Sequence, residues 1–124
     1  GVTLGRKSII LFVILVKARI FFIYYSLDTM KAGYYVYIVG NDRPTLYIGI
    51  TNNLLRRVYE HKQGLADSFT KKYSLKKLLY FEEFSNVDDG ISREKQLKHW
   101  NRNWKIDLIK KKNPKFKDLY EEII

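Results

Sequence analysis

The chain has no cysteine among its 124 residues, so disulfide bonds and thiolate metal ligands are both excluded. This composition is compatible with a reducing cytoplasm, which we expect as the compartment. Histidine is scarce, and the two in the chain, His61 and His99, lie far apart. A zinc site built on a close histidine pair is therefore not expected. Any divalent cation should be a hard ion such as Mg²⁺, bound through carboxylate and phosphate oxygens.

Long hydrophobic runs are also lacking. Residues 9–25 are mostly apolar, but Lys17 and Arg19 interrupt them, and the unbroken run 9–16 is well short of the roughly 18 to 20 residues that span a bilayer. No small-x-small cleavage site follows, so a secretory signal fits poorly. We interpret 1–29 as an N-terminal hydrophobic extension of unassigned role and 30–124 as the domain. The alternative is a membrane-associated or protein-interaction segment at 9–25.

Acidic side chains are few compared with basic ones, 13 against 23, which gives a formal net charge of +10. Such a balance favours polyanionic partners, nucleic acid above all. The alternative is a basic surface that only keeps the protein soluble. The chain is long enough for one compact domain with one core, so we expect a single functional site.

The hydrophobic pattern predicts an α/β (α+β) domain, in which helices flank a small three-stranded antiparallel sheet. Two runs of aromatic and β-branched residues, 34–39 and 46–50, enclose a turn-forming segment and predict a hairpin, and a third strand is predicted at 78–84. Helices are predicted at 54–63 with a cap at Asn52 or Asn53 and closure at Gly64, at 90–100 with a cap at Asp88 or Asp89, at 104–110 before Asn113 and Pro114, and for a last turn within 116–124.

Three features of this pattern carry chemistry. Arg57 and His61 lie one helical turn apart, beside the apolar face of their helix, so they should border the sheet. Glu94 lies between Ile91 and Leu97, within an apolar stripe, where a carboxylate needs a partner. That partner is either an ion-pairing side chain, Arg57 or Lys98, or a divalent cation.

Two tyrosines complete the set of candidates. Tyr37 and Tyr47 come from the two strands of the predicted hairpin and point to the same face if the register allows it. The alternative is that both are packing residues with a solvated hydroxyl.

Four stretches of the sequence together resemble the GIY-YIG nuclease domain: YVYIV, YIGITNNLLRRVYEH, FTKKYSLKKLLYFEE and SREKQLKHW. The resemblance runs from about 34 to 119. It is strongest to small stand-alone bacterial members, which are similar to the N-terminal cleavage domain of excinuclease ABC. Tyr37 retains the tyrosine of the first triplet, whereas Tyr35 and Val36 replace its glycine and isoleucine. Residues 47–49 match the second triplet.

The resemblance implies a Mg²⁺-dependent endonuclease, with Mn²⁺ as a substitute ion, that hydrolyses phosphodiester bonds in DNA during repair or recombination. It implies five catalytic residues, of which Glu94 is also the metal ligand: Tyr37, Tyr47, Arg57, His61 and Glu94. Asn101 is the nearest candidate for a further polar site residue of the family. No small-molecule cofactor and no membrane partner are expected.

Five lysines are expected to guide the nucleic-acid backbone: Lys71, Lys72, Lys76, Lys98 and Lys105. RNA stays open as a substrate, and so does targeting by a homodimer or by a partner protein. The competing function is a catalytically weak nucleic-acid-binding module that shares the fold.

Overall fold

The structure, a computed structural model, describes residues 33–124. Its elements in chain order are β1 Tyr34–Gly40, β2 Leu46–Thr51, α1 Leu54–Lys62, α2 Ser68–Lys72, β3 Lys77–Phe84, α3 Val87–His99, α4 Arg102–Lys112 and α5 Tyr120–Ile123. The predicted extension 1–29 and the apolar segment 9–25 lie outside the described residues. Within 33–124, no helix is long and apolar enough to cross a membrane.

The three strands form one antiparallel sheet in the order β2-β1-β3, which confirms the predicted fold class. Strand β1 is central, and its residues 36–40 are all buried, because helices cover both faces of the sheet. In the hairpin Tyr37 is opposite Gly49, and Val39 is opposite Tyr47. Since side chains alternate along a strand, this register places Tyr37 and Tyr47 on the same face, as predicted.

Two apolar cores lie on opposite faces of the sheet. On the first, which we call the α1 face, Tyr37 and Val39 pack with Leu54 and Val58 of α1. On the second, the α3 face, alternate residues of β1 pack with one leucine of α3 and one isoleucine of α4: Val36, Ile38, Leu97 and Ile109. The predicted catalytic residues are therefore carried by helices that belong to different faces.

Asparagine side chains cap the three longer helices. Asn53 accepts a hydrogen bond from the backbone N–H of Arg56 at 3.0 Å, which confirms one of the two predicted caps, and Gly64 follows α1 with a φ of +71°. For α3 the prediction of Asp88 or Asp89 was wrong, because Asn86 is the cap. The two aspartates lie in the first turn, where negative charge favours the helix dipole.

Two helix boundaries differ from the prediction. Helix α4 begins at Arg102 rather than at 104, because Asn101 accepts from the N–H of Trp104 at 2.9 Å and so starts the helix. Helix α2 was not predicted, since its five residues are too few to show a periodic pattern. Its cap is Asp67, whose carboxylate accepts from the N–H groups of Phe69 and Thr70 at 2.7 and 3.2 Å.

The chain after α4 returns to the open edge of β3. Asn113, which is buried, donates from Nδ2 to the carbonyl of Leu79 at 3.1 Å, and the N–H of Leu119 donates to the carbonyl of Leu78 at 2.8 Å. These bonds occupy part of an edge that would otherwise expose its backbone. The tail ends in the single turn of α5, as predicted.

Candidate active site

Tyr37 of β1 and His61 of α1 form a buried pair on the α1 face. Each is only 1% exposed, and the Tyr37 Oη lies 2.8 Å from the His61 Nε2. The two rings meet edge to face, with their centroids 5.5 Å apart. The predicted stripe on α1 thus borders the sheet, and its histidine contacts the tyrosine of the first triplet.

Arg57 extends this pair towards the surface. Its Nε donates to the Tyr37 Oη at 3.3 Å, and its Nη1 donates to Glu60 at 3.2 Å. The side chain is 31% exposed, so the guanidinium touches the buried pair and still reaches solvent. The neighbouring Arg56 makes a longer ion pair with Glu60, at 3.9 Å. This difference supports the choice of Arg57 over Arg56 as the candidate.

Tyr47 lies beside His61 on the same face, with a ring centroid 5.6 Å from that of the histidine. It is half-buried, and among residues 33–124 its hydroxyl has no hydrogen-bond partner. Tyr47 and Arg57 are therefore the two members of the cluster that a ligand from solvent can touch. His61 is enclosed, so any proton that it takes from bound water must reach it through another group.

Gly49 is a functional position whose reason sequence analysis missed. A Cβ built at Gly49 would lie 2.5 Å from the Tyr37 Oη and 2.6 Å from its Cζ, far inside ordinary contact distance. The glycine of the YIG triplet is thus required for the Tyr37 ring to cross over β2. The match to the triplet identified the position, but only the register of the hairpin shows what the missing side chain makes room for.

Burial decides the protonation states of the central pair. It raises the pKa of Tyr37 to about 12, against a smaller lowering by the hydrogen bond and charge of Arg57. It also lowers the pKa of His61 to about 4, and the nearby Arg57 charge acts in the same direction. At neutral pH both side chains are therefore uncharged.

Glu94 is positioned differently from the other four candidates. It belongs to α3, which packs on the opposite sheet face through Leu97, and its carboxylate forms an ion pair with Lys98 at 3.0 Å. Within 33–124, no hydrogen bond or ion pair joins it to the tyrosines, Arg57 or His61. Of its two predicted ion-pair partners, the structure shows Lys98. The stripe around Glu94 also differs from the prediction, since Ile91 is 36% exposed and Gly90 is the buried neighbour.

A metal ion would have few protein ligands here. The described residues contain no group of three or more His, Asp or Glu side chains that could hold one. Glu94 supplies a hard oxygen donor with a side chain 16% exposed, and its lysine partner is 51% exposed. A flexible, half-exposed lysine can leave the carboxylate, so Glu94 fits a cation that keeps most of its waters, as Mg²⁺ does.

The remaining candidates fall into two groups. Lys71, Lys72 and Lys76 lie on α2 or just after it and are exposed. Lys98 and Lys105 lie on α3 and α4, the helices of the other face. Asn101, the candidate for a further polar site residue, spends its side-chain oxygen on capping α4.

The family model described as the GIY-YIG catalytic domain matches residues 33–107. The chain belongs to the GIY-YIG family. It is 39% identical over 89 residues to a UPF0213 protein of Clostridium perfringens, across 72% of this chain and 96% of that protein. It is 40% identical over 79 residues to a UPF0213 protein of Pediococcus pentosaceus, across 64% of this chain and 83% of that one.

A solution NMR structure of a UPF0213 protein from Bacillus halodurans is 24% identical, with a TM-score of 0.46, and covers 69% of this chain and 92% of that chain. Membership of the GIY-YIG family means that the chain carries a nuclease domain, a hydrolase whose substrate class is nucleic acid. The matched region includes both triplets, the α1 stripe and Glu94.

Proposed function

We propose that this GIY-YIG protein is a metal-dependent endonuclease that hydrolyses phosphodiester bonds in DNA. The observation that carries the proposal is the contact of Tyr37 with both His61 and Arg57, directly beside the accessible ring of Tyr47. This arrangement places a cation and a free phenol together at the surface, supported from below by two buried uncharged side chains. A phosphodiester needs both, one for its charge and one for the attacking water.

Arg57 is suited to bind the scissile phosphate. Its Nε and Nη1 are held by Tyr37 and Glu60, and among the described residues Nη2 has no partner. A guanidinium fixed in this way needs no rearrangement when negative charge develops on the phosphoryl oxygens, which is the condition for strong stabilisation of a transition state. We assign Arg57 that role.

Tyr47 and the buried pair handle the water. Tyr47, whose hydroxyl is available to a ligand, orients the attacking water. His61 is uncharged at neutral pH and has Tyr37 within hydrogen-bond distance, so it can accept a proton that reaches it through the Tyr37 hydroxyl. Burial keeps the resulting positive charge unfavourable, so the proton would return to solvent after the step.

Glu94 would hold the cation, for which we propose Mg²⁺ with Mn²⁺ as a substitute. Waters and a phosphate oxygen would complete its coordination. When bound, such an ion neutralises phosphate charge and stabilises the leaving oxygen. The contribution of the protein is one carboxylate whose ion pair with Lys98 is half open to solvent.

The lysines of the two groups are proposed to contact the nucleic-acid backbone, and those near α2 have the stronger support. Thr70 of α2 contacts His61 at 3.2 Å, so the helix that carries Lys71 and Lys72 borders the proposed site. Lys98 and Lys105 have no comparable link to it. We also propose a role in DNA repair or recombination in the cytoplasm, which a panel of nicked, branched, single-stranded and RNA substrates would test.

One observation favours a second candidate function, a nucleic-acid-binding module with weak or no catalysis. Glu94 lies on a helix of the α3 face and is paired with Lys98, whereas the other four candidates meet on the α1 face. If no cation engages Glu94 beside Arg57, the basic surface still binds the backbone, but the charge on the phosphate is not neutralised for cleavage.

Nicking of supercoiled plasmid in Mg²⁺ or Mn²⁺ tests the choice between these two functions. We expect Arg57→Ala to lose roughly 100- to 1000-fold in rate, as for removal of one charge-stabilising donor, and Glu94→Gln to lose activity at every concentration of either ion. The matched controls are Arg56→Ala, the neighbouring arginine, and Glu121→Gln, an exposed glutamate of α5. Both should cut at close to the wild-type rate.

Binding is measured separately, by fluorescence anisotropy with a labelled duplex. A wild-type protein that binds tightly but nicks nothing with either ion would contradict the nuclease proposal and favour the binding module. Equal losses in Arg57→Ala and Arg56→Ala would contradict the role given to Arg57, because general loss of positive charge would then explain both.

A further inference from the structure

The hydroxyl of Thr70 is fully buried and contacts two groups whose chemistry differs. Its Oγ1 lies 3.1 Å from the backbone carbonyl of Asp67 and 3.2 Å from the His61 Nδ1, and the residue is 1% exposed. A carbonyl oxygen can only accept, so the single hydroxyl proton of Thr70 is donated to Asp67. Towards His61, the hydroxyl oxygen is then left with lone pairs alone.

This direction decides which nitrogen of His61 carries hydrogen. His61 is uncharged at neutral pH, so its ring has one N–H. Because Thr70 can only accept, that N–H is at Nδ1, and Nε2 presents a lone pair to the Tyr37 Oη at 2.8 Å. Tyr37 therefore donates to His61, and its own oxygen accepts from the Arg57 Nε at 3.3 Å. Each donor in the chain has one acceptor.

The opposite tautomer leaves two buried groups unsatisfied. With hydrogen on Nε2, the bare Nδ1 would face a lone pair of Thr70, 3.2 Å away in a site closed to water. The Tyr37 oxygen would also receive two donors, His61 and Arg57, and its own proton would need another acceptor. Buried polar groups without partners are costly, so the network selects the Nδ1–H form.

We propose that Thr70 is a positioning residue, which holds the Nδ1–H tautomer of His61 and thereby directs the Tyr37 hydroxyl proton at Nε2. Thr70 touches no substrate and acts through His61. Its own place is set by Asp67, whose side chain accepts from the N–H of Thr70 at 3.2 Å and whose carbonyl takes the hydroxyl proton. The five-residue helix α2 is thus the support of the candidate active site.

The tautomer stands on geometry alone, while its effect on cleavage rests on the proposed nuclease function. Long-range ¹H–¹⁵N NMR spectra of the wild-type histidines separate the two. We expect the His61 ring to show hydrogen on Nδ1 at pH 7. Hydrogen on Nε2 in the wild type would overturn the inference, whether or not the protein cuts DNA.

Three variants test what the hydroxyl does. Thr70→Val keeps the shape but removes the acceptor, and we expect loss of the single Nδ1–H signal pattern with a fall in kcat of roughly tenfold, equivalent to about 1.4 kcal/mol of barrier. KM for DNA should stay the same, because Thr70 does not touch substrate. Thr70→Ser, which retains the hydroxyl, should restore both readouts. Thr45→Val, at a threonine whose hydroxyl has no partner among the described residues, should change neither.

The outcomes separate the two proposals. A wild type that shows the expected tautomer but no nicking leaves the inference about His61 standing and contradicts the nuclease function. A Thr70→Val variant that folds, cuts at the wild-type rate and keeps the wild-type His61 spectrum contradicts the inference. If Thr70→Val does not fold, the wild-type spectrum and Thr70→Ser decide the matter.

Discussion

Replacing Gly49 with alanine should damage the candidate site more directly than any change of a charged residue. The added Cβ would lie 2.5, 2.6 and 2.9 Å from the Oη, Cζ and Cε1 atoms of Tyr37, whereas carbon atoms in contact are normally about 3.5 to 4.0 Å apart. The ring must therefore move by about 1 Å. Tyr37 is 1% exposed and packed on α1, so its surroundings leave little room for such a shift.

The size of the effect follows from two terms. Overpacking of a filled core costs about 1 to 3 kcal/mol. A ring displaced by about 1 Å also weakens the hydrogen bonds of Tyr37 to His61 and Arg57, and an unsatisfied buried partner costs about another 1 to 3 kcal/mol. We expect a loss of roughly 2 to 5 kcal/mol in the free energy of unfolding, with each kcal/mol lowering Tm by about 4 to 8 °C in a domain of this size.

Activity should fall further than stability explains. A misplacement of about 1 Å in a catalytic group can cost on the order of 100-fold in rate, so Gly49→Ala should nick plasmid about that much more slowly even at temperatures where it is folded. The matched control is Gly40→Ala, at the other end of β1. Its Cβ would meet Leu79 at 2.7 Å and the Thr45 carbonyl at 2.9 Å, a comparable clash without contact to the site. It should lose stability but keep its rate per folded molecule.

The combination of Gly49→Ala with Tyr37→Phe checks the cause. Removing the hydroxyl removes the shortest contact, so the double variant should recover part of the stability while remaining inactive, and the two effects should not add. Wild-type melting and nicking by Gly49→Ala alone would refute the reasoning, because the hairpin would then have space that the register of Tyr37 and Gly49 does not allow.

Two further predictions concern charge. Burial depresses the pKa of His61 to about 4 from about 6.5 when unfolded, so the unfolded state takes up the proton first, and the free energy of unfolding should fall by about 3 kcal/mol between pH 7 and pH 4; denaturant titrations in which His61→Gln shows the same pH slope as the wild type would contradict this. The double variant Lys71→Ala, Lys72→Ala should lower the salt dependence of DNA binding, by about 0.9 in log–log slope per lost phosphate contact, whereas alanines at Lys98 and Lys105 should change it less, and the reverse order in salt titrations would place DNA on the other face.

Much of the fold could be predicted because local signals agreed with the tertiary structure. The strands of the hairpin, α1 with its Asn53 cap and the closing Gly64 each combine a residue preference with a period. The misses were local competitions. Asn86 rather than Asp88 or Asp89 caps α3, since any of the three can accept from a helical N–H, and only the backbone shows which one does.

The candidate site was predictable as a set of residues but not as an arrangement. The spacing of Arg57 and His61 showed that they share a helical stripe, because helical period is written in the sequence. Thr70 gave no such signal. Its helix is too short for a period, and its contact with His61 exists only because α2 packs against α1 in the fold.

The order of residues alone determined the family, the antiparallel hairpin, the face that Tyr37 and Tyr47 share and the basic charge, since each depends on pattern or composition. Tertiary structure decided three other matters. It closed His61 off from water, it set Gly49 against the Tyr37 ring, and it put the helix of Glu94 on the opposite side of the sheet. These depend on register and on which face each helix covers, and both result from long-range packing that no local period records.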